Sequence, residues 1–489
     1  MCILRESGEK DGILGQGVLN ARRPLLCRTP YGKRDMNRIV LPEKVKYIID
    51  TITKAGYEAY AVGGCVRDCL LGRRPDDWDI TTSASPWQVK ELFRRTVDTG
   101  IKHGTVTVML EEEGFEVTTY RIDGEYADSR HPREVTFTPN LLEDLRRRDF
   151  TINAMAYNET AGLVDEFGGM DDMKRQMIRC VGSPKERFGE DALRMLRAVR
   201  FSAQLGYRIE EETASSIRHL APNLKNISAE RIQAELGKLL TSQHPEYLAT
   251  AYETGITKIV LPEFDLCMET PQRNPHHRYS VGVHTLKALQ ESPPSRVIRL
   301  AVLLHDIGKP ACLTTDGDGI SHFYGHPEVS EKVAGDILRR LRFDNDTVYM
   351  VKKLVKYHDR AIEPTEKGVR RAVMKMGENV FPLLLEVKRA DMLAQSLYRR
   401  EEKEQALETL GRLYEAVLEK RQCVSLKTLA INGRDLMAEA GMAPGRELGE
   451  VLSKLLDLVV EDPAQNRREI LLDKARELAK NTESTAKGK

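Results

Sequence analysis

The sequence predicts an α+β protein, with one small mixed-sheet domain near the N-terminus and helices from there to the C-terminus. Three observations carry this. Strand-like runs are confined to the first third, at a run ending on Val62, at Asp77–Ile80, Thr105–Leu110 and Glu116–Arg121. Beyond Asp172 the apolar residues recur at helical spacing. The length of 489 residues exceeds what one core organises, so two to four domains are expected.

Taken in order, residues 1–36 are rich in Gly, Arg and Lys without periodicity and read as a disordered extension. Residues 37–171 form the sheet domain. Gly63-Gly64 breaks the first strand, and Val66–Leu71 reads as the opening of a helix. The Asp77–Ile80 strand follows, then a polar helix near Pro86–Arg95. Two further strands are joined by an acidic Glu-Glu-Glu-Gly turn. Residues 172–270 carry helical patterns over Arg187–Leu205, Glu210–His219, Ala229–Thr241 and Pro245–Thr254. Residues 271–420 form a second helical block, and residues 421–489 short helices around a Gly441–Gly445 turn.

Composition narrows the setting. Hydrophobic residues make up 41%, and 75 Lys+Arg nearly balance 74 Asp+Glu, so any nucleic-acid partner must be met by local charge. No apolar run is long enough to span a bilayer, and the start lacks a signal-peptide core. Eight scattered cysteines without a Cys-x-x-Cys pair point to a reducing cytoplasm. No obligate protein partner is indicated.

The densest chemistry lies in Tyr60–Ile80. Glycines at 63 and 64 let backbone approach an anion closely. Arg67 suits a phosphate through paired hydrogen bonds. On a strand, Asp77 and Asp79 share a face, and two hard carboxylates suit Mg²⁺ held jointly with substrate phosphates. Glu116 on a neighbouring strand is a weaker candidate for a third carboxylate, because surface Glu is the ordinary case. In 187–201, Asp191, Arg194, Arg197 and Arg200 recur every third residue as a basic stripe opposite Leu193, Leu196 and Val199. A carboxylate accepts from an exocyclic amino group and a guanidinium donates to a ring nitrogen, so Asp191 with Arg194 would admit cytosine and adenine and reject uracil and guanine.

These segments resemble the class II tRNA nucleotidyltransferase and bacterial poly(A) polymerase family. The resemblance rests on Tyr60–Ile80, on Arg147-Arg148-Asp149-Phe150-Thr151-Ile152-Asn153-Ala154 and on Arg187–Phe201, in that order along the chain. It implies a nucleotidyltransferase head (37–171), a neck that binds nucleotide and RNA (172–270), a body (271–420) and a tRNA-binding tail (421–489). The implied reaction is template-independent transfer from CTP and ATP to the 3′ end of tRNA, with pyrophosphate released. Asp77 and Asp79 would hold Mg²⁺, and Gly63, Gly64, Arg67, Arg148, Asn153, Asp191, Arg194, Arg197 and Arg200 would hold the nucleotide. Tyr120–Pro132 resembles the family's flexible loop, 226–232 its neck segment, and 431–449 its tRNA-contacting body and tail; in the tail, Lys427 and Arg434 are candidate phosphate contacts. An A-adding enzyme and a poly(A) polymerase share this chemistry and remain open alternatives.

A second motif, Arg299–Pro310, resembles the HD metal-dependent phosphohydrolase superfamily through the adjacent pair His305-Asp306. The candidate ligands are His284, His305, Asp306 and Asp391, with His326 and His358. Imidazole mixed with carboxylate suits a transition metal better than Mg²⁺. The further alternative is therefore a metal phosphohydrolase whose head only senses nucleotide.

Overall fold

The computed structural model describes residues 38–124, 135–420 and 422–486. The expected extension at 1–36 and residues 125–132 of the expected flexible loop lie outside the described residues. The head strands are β1 (Ala59–Val62), β2 (Ile80–Thr82), β3 (Thr96–Gly100), β4 (Thr105–Leu110), β5 (Glu113–Thr119), β6 (Arg121–Asp123), β7 (Val135–Phe137), β8 (Ala156–Asn158) and β9 (Gly162–Val164). Seven of them form one sheet in the order β3-β4-β5-β2-β1-β8-β9, while β6 and β7 pair as a separate ribbon. The sheet is mixed: β2 runs parallel to β5, with Ile80 beside Val117, and the other pairs are antiparallel.

Helix Glu43–Lys54 covers the sheet with Val45, Ile48, Ile49 and Ile52, the i, i+3, i+4, i+7 spacing of one helical face. Helix Pro86–Leu92 starts on a Ser85–Gln88 capping box. It ends earlier than the expected Arg95, because Phe93 turns extended and is buried. The acidic turn is tighter than expected: Glu113 and Gly114 already belong to β5, and Glu111 takes a left-handed φ of 56°.

After the head, helices dominate. Strand pairing among the later described residues is limited to Met177–Ile178 with Arg208–Ile209 and Thr314–Thr315 with Ser321–His322. The expected helix 187–205 is two helices, Pro184–Glu190 and Leu193–Leu205, with an extended Asp191 between them. One apolar core runs continuously from Ile39 to Val424, and a second, around Leu436, Leu455, Val459 and Leu471, holds the C-terminal helices. Buried Arg370 ties the two by donating from Nε to the carbonyl of Val460 at 2.8 Å.

Candidate active site

Strand β2 begins one residue after Asp79, not at Asp77 as the sequence suggested. Pairing reaches Asp79 only through its carbonyl, which accepts from the Val62 N–H at 3.0 Å. The alternation nevertheless holds: Asp77 and Asp79 are exposed, Trp78 packs on the core and Ile80 is buried. The carboxylates therefore share the solvent side. The parallel β2–β5 register also carries Glu116, one step before Val117, to the strand position beside Asp79, and it too is exposed. The weaker sequence candidate thus stands on the same strand edge as the aspartate pair.

Although the residue reaches solvent, partial desolvation by the surrounding protein pushes the Asp79 pKa up; Arg148 opposes this and Asp77 reinforces it. Two neighbouring acids on this edge are short of positive charge, the condition a hard divalent cation relieves. That fits Mg²⁺ at Asp77 and Asp79.

Gly63 adopts φ 83°, a conformation that glycine takes without strain, and a Cβ there would meet Arg148 Nη1 at 3.1 Å. Backbone and guanidinium thus close on one point. Arg148 reaches the buried Asp144 at 3.5 Å, while its Nε is buried without a partner. Asp144 also takes Arg147 at 2.7 Å and Thr81 at 3.1 Å. Burial acts to raise the Asp144 carboxyl, but Arg147 and Arg148 hold it below its usual range.

Arg67 is buried and donates to Asn153 Oδ1 at 2.7 Å and twice to Asp68 at 2.9 Å. Three of its five N–H groups are thereby used, leaving two for a ligand. Asn153 in turn donates to Asp149 at 3.3 Å, and Asp149 accepts from Arg197 Nε at 2.8 Å. Burial opposes the Asp149 charge, yet Arg197 and Arg194 outweigh it and bring the carboxyl down to about 2. Phe201 lies beneath three guanidiniums, at 5.2 Å from Arg67, 5.4 Å from Arg197 and 3.7 Å from Arg200. Such cation–π contacts anchor arginines without consuming their N–H donors.

The arginine stripe is neutralised by acids from elsewhere. Arg194 pairs with Glu190, Arg197 with Asp149, and Arg200 with buried Glu235 of helix Ala229–Leu240. Arg194 is also fixed on the carbonyls of Arg187 and Arg147, each at 3.1 Å. Asp191 accepts from the Leu193 N–H at 3.0 Å and from both terminal nitrogens of Arg231, at 3.3 Å and 2.7 Å. Oδ1 then has two donors and Oδ2 one, so one lone pair stays available to a base. Ser228 holds the N-cap position of the Arg231 helix, but its hydroxyl makes no capping bond.

Hydrogen bonds and ion pairs link Arg67, Asn153, Arg197 and Arg200 through Asp149 and Glu235, and Gly63 stands against Arg148, which lies close enough to act on the Asp79 carboxyl; Asp191 is held separately by Arg231. Sequence reasoning did not name Asp149, Phe201, Arg231 or Glu235 as parts of the site. Asp149 sits inside the Arg147–Ala154 motif, Phe201 at the end of the Arg187–Phe201 motif and Arg231 in the neck segment, so those three carried a signal; Glu235 read as an ordinary helix residue.

This chain matches the family of the Poly A polymerase head domain over residues 59–179, that of the RNA and SrmB-binding site of polymerase A over 206–268, and that of tRNA nucleotidyltransferase domain 2 over 313–475. It is 35% identical over 443 residues to the CCA-adding enzyme of Limosilactobacillus reuteri, covering 90% of this chain and 97% of that relative. The chain belongs to the CCA-adding enzyme family. The corresponding protein of Lactiplantibacillus plantarum is 36% identical over 438 residues, 89% of this chain and 96% of its own. A crystal structure of the Bacillus stearothermophilus CCA-adding enzyme in complex with CTP superposes with a TM-score of 0.67 at 29% identity, covering 91% of this chain and 100% of that one. The Thermotoga maritima CCA-adding enzyme complexed with tRNA shares the fold, with a TM-score of 0.56 at 21% identity over 91% of this chain and 97% of that one. As a member of this family, the chain is a tRNA nucleotidyltransferase.

The second set of candidate ligands also converges, in the body. His284 lies on helix Val281–Glu291, His305-Asp306 follows helix Arg296–Leu304, His326 opens helix His326–Arg340, His358 follows helix Asn345–Tyr357 and Asp391 lies on helix Phe381–Ala394. Gly308 makes this approach feasible: a Cβ there would strike the Ser330 amide nitrogen at 2.6 Å. Two groups in the described residues have the spacing to hold a metal ion, His284–His305–Asp306 and Asp306–His326–His358. No helix among the described residues is long and apolar enough to cross a membrane.

Proposed function

We propose that this protein adds C and A residues to the 3′ end of tRNA from CTP and ATP without a nucleic-acid template, with the head, neck, body and tail divided at about residues 171, 270 and 420. The observation that carries this reading is the hydrogen-bonded chain from Arg67 through Asn153 and Asp149 to Arg197, which joins the helix after the glycine pair of the head to the neck.

The triphosphate lies against Gly63 and Gly64, where backbone can come close, and takes donors from Arg148 and the two remaining N–H groups of Arg67. Mg²⁺ bound by Asp77 and Asp79 would neutralise the phosphates and lower the pKa of the attacking hydroxyl. The RNA 3′ hydroxyl gives up its proton to water as its oxygen bonds to the α-phosphorus, the bond from that phosphorus to the bridging oxygen breaks, and pyrophosphate leaves. Asp191 accepts the exocyclic amino group of cytosine or adenine on its remaining lone pair, and Arg194, fixed by two backbone carbonyls, presents the donor to the neighbouring ring nitrogen. Arg197 and Arg200 hold the neck side of the pocket. Arg434 and Lys427 of the tail face the tRNA backbone in this reading. A cytoplasmic setting agrees with the six described cysteines, all of which are free. A transition metal in the histidine cluster of the body is a separate part of the proposal.

The test is incubation with tRNA lacking its last three nucleotides, with CTP and ATP singly and together. The reading predicts two C additions with CTP alone and completion to CCA with both. Addition of A only to a CC end would identify an A-adding enzyme, long A tails a polymerase, and no incorporation would overturn the reading.

A further inference from the structure

The ring of Phe201 lies where head and neck meet. Phe201 belongs to helix Leu193–Leu205 of the neck and is buried. Three guanidinium carbons stand over its ring, Arg200 at 3.7 Å from the centroid, Arg67 at 5.2 Å and Arg197 at 5.4 Å. Arg197 and Arg200 come from the same neck helix, whereas Arg67 comes from helix Gly64–Leu70 of the head. A single ring thus serves cations from both parts of the chain.

The edges of the same guanidiniums are held by other groups. Arg67 donates to Asn153 Oδ1 at 2.7 Å, Asn153 donates to Asp149 at 3.3 Å, and Asp149 accepts from Arg197 Nε at 2.8 Å. Arg197 Nη1 lies 3.8 Å from Glu235 Oε1, and Arg200 donates from Nε to Glu235 Oε2. In order, Arg67, Asn153, Asp149, Arg197, Glu235 and Arg200 form one polar run, and every cation in it lies over Phe201.

An acid holds a guanidinium by its N–H edge, while an aromatic face holds it by its plane and leaves N–H groups for a ligand. Three like charges gathered at one point repel, and an aliphatic side chain would do nothing to offset this. The negative face of the ring does. Arg67 and Arg200 are buried together with Phe201, and a desolvated cation–π contact is stronger than an exposed one. Phe150, also buried, meets Phe201 at 5.8 Å with the planes at 79°, a T-shaped contact that fixes the tilt of the ring. The base-reading pair of the proposed function is held by different groups: Asp191 by Arg231, and Arg194 by Glu190 and the carbonyls of Arg187 and Arg147.

From this we infer that Phe201 is a positioning residue for nucleotide binding: the face of its ring sets Arg67, Arg197 and Arg200 for the incoming nucleotide without reading its base. Resting on the proposed nucleotide pocket, this divides that pocket into a base-blind half over Phe201 and a base-reading half at Asp191. Phe201 acts through the three arginines rather than on the nucleotide itself.

The experiment replaces Phe201 in the full chain by phenylalanines carrying one, two or three ring fluorines, which weaken the negative face with little change of shape, and separately by leucine. Binding of CTP and of ATP is measured by isothermal titration in Mg²⁺ without tRNA, beside the thermal midpoint and the CTP:UTP preference in transfer to tRNA lacking CCA. Kd for both nucleotides is expected to rise stepwise with fluorine, about tenfold in all at three fluorines, while the CTP:UTP preference stays as in the wild-type chain. A Kd that is flat across the fluorine series, with only Phe201→Leu impaired through a lowered thermal midpoint, would reduce the ring to core packing and overturn the inference. A shifted CTP:UTP preference in the fluorinated chains would overturn the base-blind role. Wild-type binding of CTP without transfer to tRNA would overturn the proposed function while the Kd series still decides the role of Phe201; a wild-type chain that binds neither nucleotide would overturn both.

Discussion

Replacing Asp191 by alanine separates base reading from folding. In the structure Asp191 accepts three hydrogen bonds, one from the Leu193 N–H and two from Arg231, and offers its remaining lone pair to the base. A good carboxylate or bidentate contact to a base edge discriminates by about 1–3 kcal/mol, so the preference of kcat/KM for CTP over UTP is expected to fall about 5- to 150-fold. The Leu193 contact closes the start of a helix, and its loss costs about 1 kcal/mol of stability. Asp191→Asn keeps an acceptor for Leu193 but loses the charge opposite Arg231, so it recovers stability without recovering selectivity. Arg231 holds Asp191 in place, so Arg231→Ala also relaxes selectivity, and the double variant is no worse than the more damaging single one. The assay is steady-state incorporation of each of the four nucleotides into tRNA ending before CCA, beside urea unfolding. An unchanged CTP:UTP ratio in Asp191→Ala, or additive effects of Asp191 and Arg231, would refute the pairing argument.

Two further outcomes follow from the head and neck. Asp149 has its carboxyl lowered from 3.8 to about 2 in the folded state. It therefore contributes about 2 kcal/mol that is fully present above pH 4 and is lost as pH falls through 2. Asp149→Asn should lower stability at pH 7 by about 1–3 kcal/mol, because Arg197 loses its nearest charged partner but is partly exposed and keeps Glu235 at 3.8 Å, and should reduce the further acid loss, as read by urea midpoints at pH 7 and pH 3. Gly63→Ala forces a Cβ into φ 83° and to within 3.1 Å of Arg148; about 1–2 kcal/mol of strain and a raised KM for both nucleotides are expected, and an unaltered KM would show that this glycine does not shape the phosphate cradle.

The head motif was legible from the sequence because its geometry is local. Alternation alone puts Asp77 and Asp79 on one side, and a glycine pair at the end of a strand announces close backbone approach. Local patterns could not show where β2 starts, since that depends on β5, which arrives more than thirty residues later in the chain. The same limit applied to Glu116, which looks like any exposed strand residue until the register sets it beside Asp79. In the neck, the three-residue recurrence read as a continuous helix, and the break at Asp191 has a local part, its carboxylate accepting from the Leu193 N–H, and a distant part invisible in the pattern, Arg231 forty positions on. The arginine stripe likewise looked basic because Asp149 and Glu235, which neutralise it, lie on other elements. In the body, His305-Asp306 announced itself, but the two-sided use of Asp306 emerged only once five helices were packed together.

The central claim is that the carboxylates at the mouth of β2 drive attack on the α-phosphorus. Single-turnover transfer of labelled CMP to tRNA lacking CCA, comparing the wild-type chain with Asp79→Ala under saturating Mg²⁺, tests it most directly. The account predicts that transfer falls by at least a thousandfold, about 4 kcal/mol of barrier, while CTP still binds and the thermal midpoint is retained. Transfer within a few fold of the wild-type rate would contradict it.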